Sequence, residues 1–379
     1  MISCRAVYLL YFAAFAAFMP YLPVYFKEIA LSGAQIGLLT ALPRIVALVC
    51  APAWGAIADK VQRHRDVLLA SLLGTTIAVA GIVQTARFAP LVVALLAFAF
   101  FSAPNVSLVD HITLETLGER RGDYGKVRAW GTIGWGLASP LAGWLSERGG
   151  LMGAFSAFFV FQAGTVAAAW FLPRAASPVP FRLLRGLRTI FRDRRWFVFL
   201  LAVFVAGMGV SVVHFYLFLY LQELGFAKGF WGLTMVFSTG AELPVMWLGG
   251  RLLRRWSSHH LLLLSLLALV VRSLAYSWTS SGPLILLIQL LHGPMFGFLW
   301  IGGVARAHEL APPGMGATAQ GLFSGVAMGV GTAAGAFLGG IVLDAVGAPL
   351  LYRWTGIGAT LGFLLLALAG RATRQPKVQ

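Results

Sequence analysis

Among the ionisable side chains within the long apolar stretches of this chain are Arg44, Asp110, His214, Glu242, Arg272 and His292. A charge surrounded by hydrocarbon is costly, so residues of this kind serve a partner, a proton or a ligand. A carboxylate whose guanidinium partner comes and goes changes its proton affinity, because burial favours its protonated form and a nearby cation opposes it. Two pairs have the residue types for that chemistry, Glu242 with Arg272 and Asp110 with Arg128. At 1.5 Å per helical residue, Glu242 lies about 12 Å and Arg272 about 18 Å from the same end of their stretches, a gap that long side chains span. Each pair reads either as a packing ion pair or as a proton-coupling pair. Glu242 is the favoured acid, being deeper and sharing its half of the chain with His292. Arg44 reads as a snorkelling residue or an anion contact.

His292 stands in Gln289-Leu-Leu-His292-Gly293-Pro294-Met-Phe296-Gly297-Phe-Leu-Trp300. The Gly-Pro step predicts a broken helix with freed backbone groups. A histidine at such a break can hydrogen-bond a solute or exchange a proton near neutral pH, although a lone buried histidine is also a common packing residue. The candidate solute contacts are Tyr11, Arg44, Asn105, His214, Gln289, His292 and Trp300. Aromatic residues also line the first stretch (Tyr8, Tyr11, Phe12, Phe15, Phe18) and the seventh (Tyr216, Tyr220), where packing is the ordinary role.

The elements that position these residues follow from composition. Of 379 residues, 59% are hydrophobic and 11% charged, and the mean hydropathy is +0.82. A soluble domain needs more polar surface than that. Apolar stretches of roughly 20 residues recur from end to end, each long enough to cross hydrocarbon as a helix. They do not alternate as barrel strands would. Twelve spans are predicted, at about 5–27, 34–57, 66–85, 89–116, 126–147, 151–172, 196–221, 229–250, 260–279, 283–309, 316–343 and 349–370. The expected fold is an all-α membrane protein of two pseudo-symmetric six-helix bundles: 1–172, a basic cytosolic linker 173–195 holding seven Arg, and 196–379. The opening MISCRAVYLLYFAAFAAF lacks a small-residue cleavage site and reads as a retained first helix. Cys4 and Cys50 suggest neither a disulfide framework nor a metal site.

The net charge of +16 would suit nucleic-acid binding in a soluble protein, but the basic residues gather at span ends. With both termini inside, 22 Lys and Arg face the cytosol and 5 face outward. That bias fixes the orientation and points to anionic membrane lipids as partners, with no nucleic acid. The halves repeat. A shift of 195 residues lays Gly37 on Gly232 and Gly55 on Gly250, and a shift of 197 lays Gly134 on Gly331 and Gly143 on Gly340. Parallel six-helix repeats of this kind characterise major facilitator transporters. The eleventh span also carries two G-x-x-x-G series, Gly321/Gly325/Gly329 and Gly331/Gly335/Gly339, which predict close helix packing.

After the second span the chain reads Gly55-Ala-Ile-Ala-Asp59-Lys60-Val-Gln62-Arg63-His64-Arg65. This resembles the G-x-x-x-D-[RK]-x-G-[RK]-x-[RK] signature of the major facilitator superfamily, with Gln62 in place of the second glycine. Gly55 would allow helices to approach, and Asp59 would face the positive end of a neighbouring helix. The resemblance implies a cytosolic gate latch formed by Gly55, Asp59, Lys60, Arg63 and Arg65. At the matching loop, Arg254 stands where Asp59 does, which argues against a symmetrical latch. YFKEIALSGAQIGLL, YGKVRAWGTIGWG after Asp110, YLQELGFAKGFWGL, ELP at Glu242 and QLLHGPMFGFLW together resemble the phenylpropionate-permease-like branch, related to lactose permease and the oligosaccharide and nucleoside proton symporters.

That resemblance implies proton-coupled import of a small organic solute by a monomer in a bacterial inner membrane. Glu242, Asp110 and His292 would act in proton coupling, with Arg272 and Arg128 as ion-pair partners. An aromatic carboxylate suits the family and the intramembrane Arg beside aromatic rings; a sugar, a nucleoside, drug or metabolite efflux, and a non-transporting receptor on the same fold stay open. No phosphate-binding G-x4-G-K-[ST] loop, H-E-x-x-H or G-x-S-x-G occurs, so the chain is expected to be no enzyme and to need no cofactor and no metal.

Overall fold

Ser32 begins the second helix with a reciprocal cap: its hydroxyl accepts from Gln35 N at 3.2 Å, and the Gln35 amide oxygen accepts from Ser32 N at 3.0 Å. Apolar runs and short connections give helix after helix in the computed structural model, which describes residues 1–173, 193–312 and 315–372. The elements are α1 (Ile2–Glu28), α2 (Gly33–Val61), α3 (His64–Val83), α4 (Phe88–Arg120), α5 (Tyr124–Gly149), α6 (Leu151–Trp170), α7 (Arg194–Glu223), α8 (Lys228–Trp247), α9 (Ser258–Tyr276), α10 (Gly282–Leu310) and α11 (Thr318–Ala369). A short helix, Gly249–Arg255, joins α8 to α9.

All the predicted spans lie on helix. Nine helices among the described residues are long and apolar enough to cross a membrane. One of them, α11, runs over both the eleventh and the twelfth predicted span, and turns at Gly347, where φ is 77°. The fifth and eighth predicted spans, on α5 and α8, are not among those nine, because polar residues interrupt them. Linker positions 174–192 lie outside the described residues.

The helices cluster into two compact units. One gathers the described residues of Met1–Pro180 with Leu221–Val236, and the other those of Phe181–Tyr220 with Phe237–Gln379. In the first, α1 packs chiefly on α5 and α6, and α3 on α4. Leu221–Val236 belongs to it through polar ties: Lys228 Nζ lies 3.6 Å from Glu28, and Glu147 Oε2 accepts from Gly229 N at 3.1 Å. Phe18, Phe98, Phe155 and Phe158 fill the interior between α1, α4 and α6. In the second unit α9 packs on α11 and α10.

One contact occurs once in each unit. A side chain at Gly134 would stand 2.0 Å from the Leu9 carbonyl oxygen, and one at Gly331 2.8 Å from that of Phe204. Both places need a residue without Cβ so that backbones can touch. The two carbonyls are 195 residues apart and the two glycines 197, the offsets of the sequence repeat. The second glycine series behaves as predicted: Gly335 abuts the Met208 carbonyl and Gly339 the Tyr216 ring, and Ser211 Oγ donates to Thr332 O at 2.6 Å. Gly321, of the first series, meets nothing within 4 Å. Residues Gly325–Gly331 form a π-helical turn that the sequence did not announce.

Candidate functional site

The second unit places Glu242, Arg272, Gln289 and His292 on three helices that converge. Gly293 makes the convergence possible: a Cβ there would stand 2.2 Å from the Ala241 carbonyl oxygen, so α10 reaches the backbone of α8 beside Glu242. The α-helix of the tenth span ends at Gln289, Leu290 and Leu291 form a turn, and a π-helical turn follows over Gly293–Gly297 before α-helix resumes at Phe298. The interruption expected at the Gly-Pro step takes this form: proline has no N–H for the α-helical ladder, and a wider turn absorbs the missing donor.

Arg272 is 1% exposed. Its Nη1 lies 2.8 Å from His292 Nδ1, its Nη2 donates to Gln289 Oε1, and its guanidinium carbon is 5.8 Å from the centre of the Tyr276 ring. A guanidinium only donates, so His292 Nδ1 must accept. The imidazole proton then sits on Nε2, which lies 3.5 Å from Glu242 Oε2. Glu242 and Arg272 are therefore joined through His292 instead of forming the direct pair that depth along the helices suggests. The result is a line of cation, neutral imidazole and carboxylate, in which one proton can be exchanged at the carboxylate end while the imidazole holds the two charges apart. Arg272 Nε and Gln289 Nε2 are buried with no hydrogen-bond partner among the described residues.

Beside this line, ring contacts follow the helical spacing 292, 296, 300. His292 and Phe296 are parallel within 4° at 5.7 Å, and Phe296 and Trp300 within 17° at 6.2 Å. Trp300 remains 36% exposed. His214 is half-buried on α7, against Phe215. Tyr216 donates to the Ala336 carbonyl and Tyr220 to those of Tyr276 and Thr279, so both serve packing.

In the first unit Asp110 accepts a hydrogen bond from the Tyr8 hydroxyl, with Tyr124 the second phenol facing it. Arg128, the expected ion-pair partner, lies over the Phe12 ring at 4.1 Å and the Tyr8 ring at 5.6 Å. The phenols take the carboxylate's lone pairs and the rings hold the guanidinium. Tyr11 faces Asn105 and lies near Arg44. Asn105 is engaged on both sides of its amide, accepting from Ser71 Oγ at 2.6 Å and donating to Thr75 Oγ1 at 3.2 Å, which ties α4 to α3.

In the predicted latch, α2 ends at Val61, and Gln62 caps it with φ 55° and ψ 29°. This left-handed position is where glycine is favoured, which explains the glycine of the family signature. Gly55 does not carry the expected close approach, since a Cβ there meets nothing within 4 Å. Lys60 and Arg63 are exposed. Arg65 donates to the Trp170 carbonyl at 3.2 Å and lies 3.5 Å from Asp66. The Asp59 side chain lies outside the described residues.

Repeated units of membrane-length helices, each with buried ionisable groups, define a polytopic membrane transporter. Comparison with known proteins agrees. A 32% identical relative, maltose permease of Geobacillus stearothermophilus, aligns over 97% of this chain and 94% of its own. An Escherichia coli protein named "Probable 3-phenylpropionic acid transporter" is 26% identical over 98% of this chain and 96% of its own. The crystal structure of the nucleoside transporter NupG superposes with a TM-score of 0.86, 19% identity and 99% coverage of both chains, which shows the fold. Residues 1–354 match the model of the MFS_1 like family, and the chain belongs to that family of the major facilitator superfamily. It is a multi-pass membrane transporter and not an enzyme.

Proposed function

We propose that the chain is a proton-coupled symporter that imports a small organic solute by alternating access, with both termini in the cytosol of a bacterial cell and 1–172 and 196–379 as its two bundles. The observation that carries this reading is the line Arg272–His292–Glu242. Glu242 is the proton site, and Arg272 supplies the charge whose compensation depends on it. Taking up a proton at Glu242 leaves Arg272 without a carboxylate along the line. An anionic or oxygen-rich solute that reaches the guanidinium then restores the balance. Asp110, held by two phenols, is a second acid for the same role. The rings of His292, Phe296 and Trp300 favour a flat, carboxylated aromatic solute. A disaccharide is the second reading, favoured by the 32% identity to maltose permease. Uptake of labelled 3-phenylpropionate, maltose and a nucleoside into proteoliposomes, with and without an imposed pH gradient, tests both. Accumulation of one solute only under an inward proton gradient is expected. Equal accumulation without any gradient would overturn proton coupling.

A further inference from the structure

Arg251, Arg254 and Arg255 lie on the short helix Gly249–Arg255 at spacings of three and four residues, which brings their side chains to one face. Together they line a hollow of about 390 Å³, and among the described residues no acidic side chain contributes to it. All three are exposed. Like charges at these spacings repel, so the arrangement is unfavourable without an anion among them. The hollow at the basic end of the first unit differs: it is lined by Arg5, Arg120, Lys126 and Asp123, and Asp123 lies 2.7 Å from Lys126, which supplies a countercharge from within. Among the described residues the second hollow has none.

Exposed tryptophans flank the arginines along the chain. Trp247, at the end of α8, is 87% exposed, and Trp256, directly after the arginines, is 44% exposed. Tryptophans at the ends of membrane helices sit at the headgroup level, with the ring body in the acyl region. The short helix leads from α8 into α9, which is long and apolar enough to cross a membrane, so these arginines lie where a span would meet water. A guanidinium presents a planar fork of donors that fits a phosphate bidentately.

We propose that the Arg251–Arg254–Arg255 hollow binds the phosphate of an anionic membrane lipid, whose acyl chains run along the exposed tryptophans. The site is separate from the proton line and does not depend on the solute carried. Near an anionic surface each Lys or Arg is worth on the order of a fivefold change in affinity, so three together amount to roughly 100-fold.

The test uses the full chain purified in detergent and native mass spectrometry with phosphatidylglycerol, phosphatidylcholine or inorganic phosphate as probe. Wild type is expected to retain phosphatidylglycerol over phosphatidylcholine, with no competition from inorganic phosphate. Replacing all three (R251Q, R254Q, R255Q) should remove that preference, and R251K, R254K, R255K should weaken it by loss of bidentate contact. The Lys set keeps the charge that guides insertion, so it decides the matter if the Gln set does not fold. Retention of phosphatidylglycerol by either monodisperse variant at the wild-type level would overturn the site. Displacement of the lipid by inorganic phosphate would reassign the hollow to a soluble anion.

Discussion

Gly293→Ala tests whether close backbone contact between α8 and α10 holds the proton line together. The added methyl would stand 2.2 Å from the Ala241 carbonyl oxygen. Carbon–oxygen contacts between packed helices sit at about 3.3 Å, so α10 must retreat by roughly 1 Å. His292 Nε2 is already 3.5 Å from Glu242 Oε2. A further retreat takes the pair beyond hydrogen-bonding range. Overpacking of this kind costs about 1–3 kcal/mol. Loss of a hydrogen bond to a charged group costs about 1.5–3 kcal/mol, which corresponds to a fall of roughly 10- to 100-fold in gradient-driven uptake. Gly240→Ala is the control: it lies on α8, two residues before Glu242, and a Cβ there meets nothing within 4 Å. The assay is initial uptake under an inward proton gradient, beside solute exchange without one and the Tm in detergent. Gly293→Ala should lose gradient-driven uptake more than exchange, while Gly240→Ala changes neither. Wild-type uptake by Gly293→Ala, or equal damage from Gly240→Ala, would refute the reasoning.

Three further outcomes are expected. Glu242→Gln should abolish uphill, pH-driven accumulation and leave exchange measurable; a mutant that still concentrates solute on a proton gradient alone would pass the role to Asp110. Gln62→Gly should raise stability by up to about 1 kcal/mol, because glycine enters the left-handed region without steric cost, and an unchanged or lower Tm would count against the strain. The hydrogen bond and charge of Lys126 hold the Asp123 carboxyl below the usual carboxylate range. With its pKa depressed in the folded state, any contribution to stability is present above the unfolded-state pKa and is lost only as pH falls through the folded value. Asp123→Asn should therefore leave the pH profile of uptake between about 5 and 8 unchanged, as expected for a group ionised throughout that range.

Helix positions, the repeat and the ionisable cast were legible in the sequence because each rests on a local signal: an apolar run, a glycine spacing, a charge in the wrong solvent. The connections within the site were not. Depth along a helix says how far Glu242 and Arg272 lie from an end, but not which faces they turn to one another, so the place of His292 between them could not be read. Asp110 misled in a similar way, since its neighbours Tyr8 and Tyr124 come from two other helices. The Gly293-Pro294 step announced an interruption but not its form, because a missing donor can be met by a turn, by a wider helix or, as here, by both. The spacing of His292, Phe296 and Trp300 suits one face of a helix, but an expected break at Gly293-Pro294 hid that face from a reading of the sequence.

The contact of Gly134 with the Leu9 carbonyl and of Gly331 with that of Phe204 makes the chain its own internal comparison. One lesion, glycine to alanine, can be placed at equivalent points of a duplicated architecture, in one copy, the other or both. The collision is with a carbonyl oxygen in each, tighter at Gly134 (2.0 Å) than at Gly331 (2.8 Å), so a larger loss of transport from the milder Gly331 replacement would report separate duties that the copies have taken on.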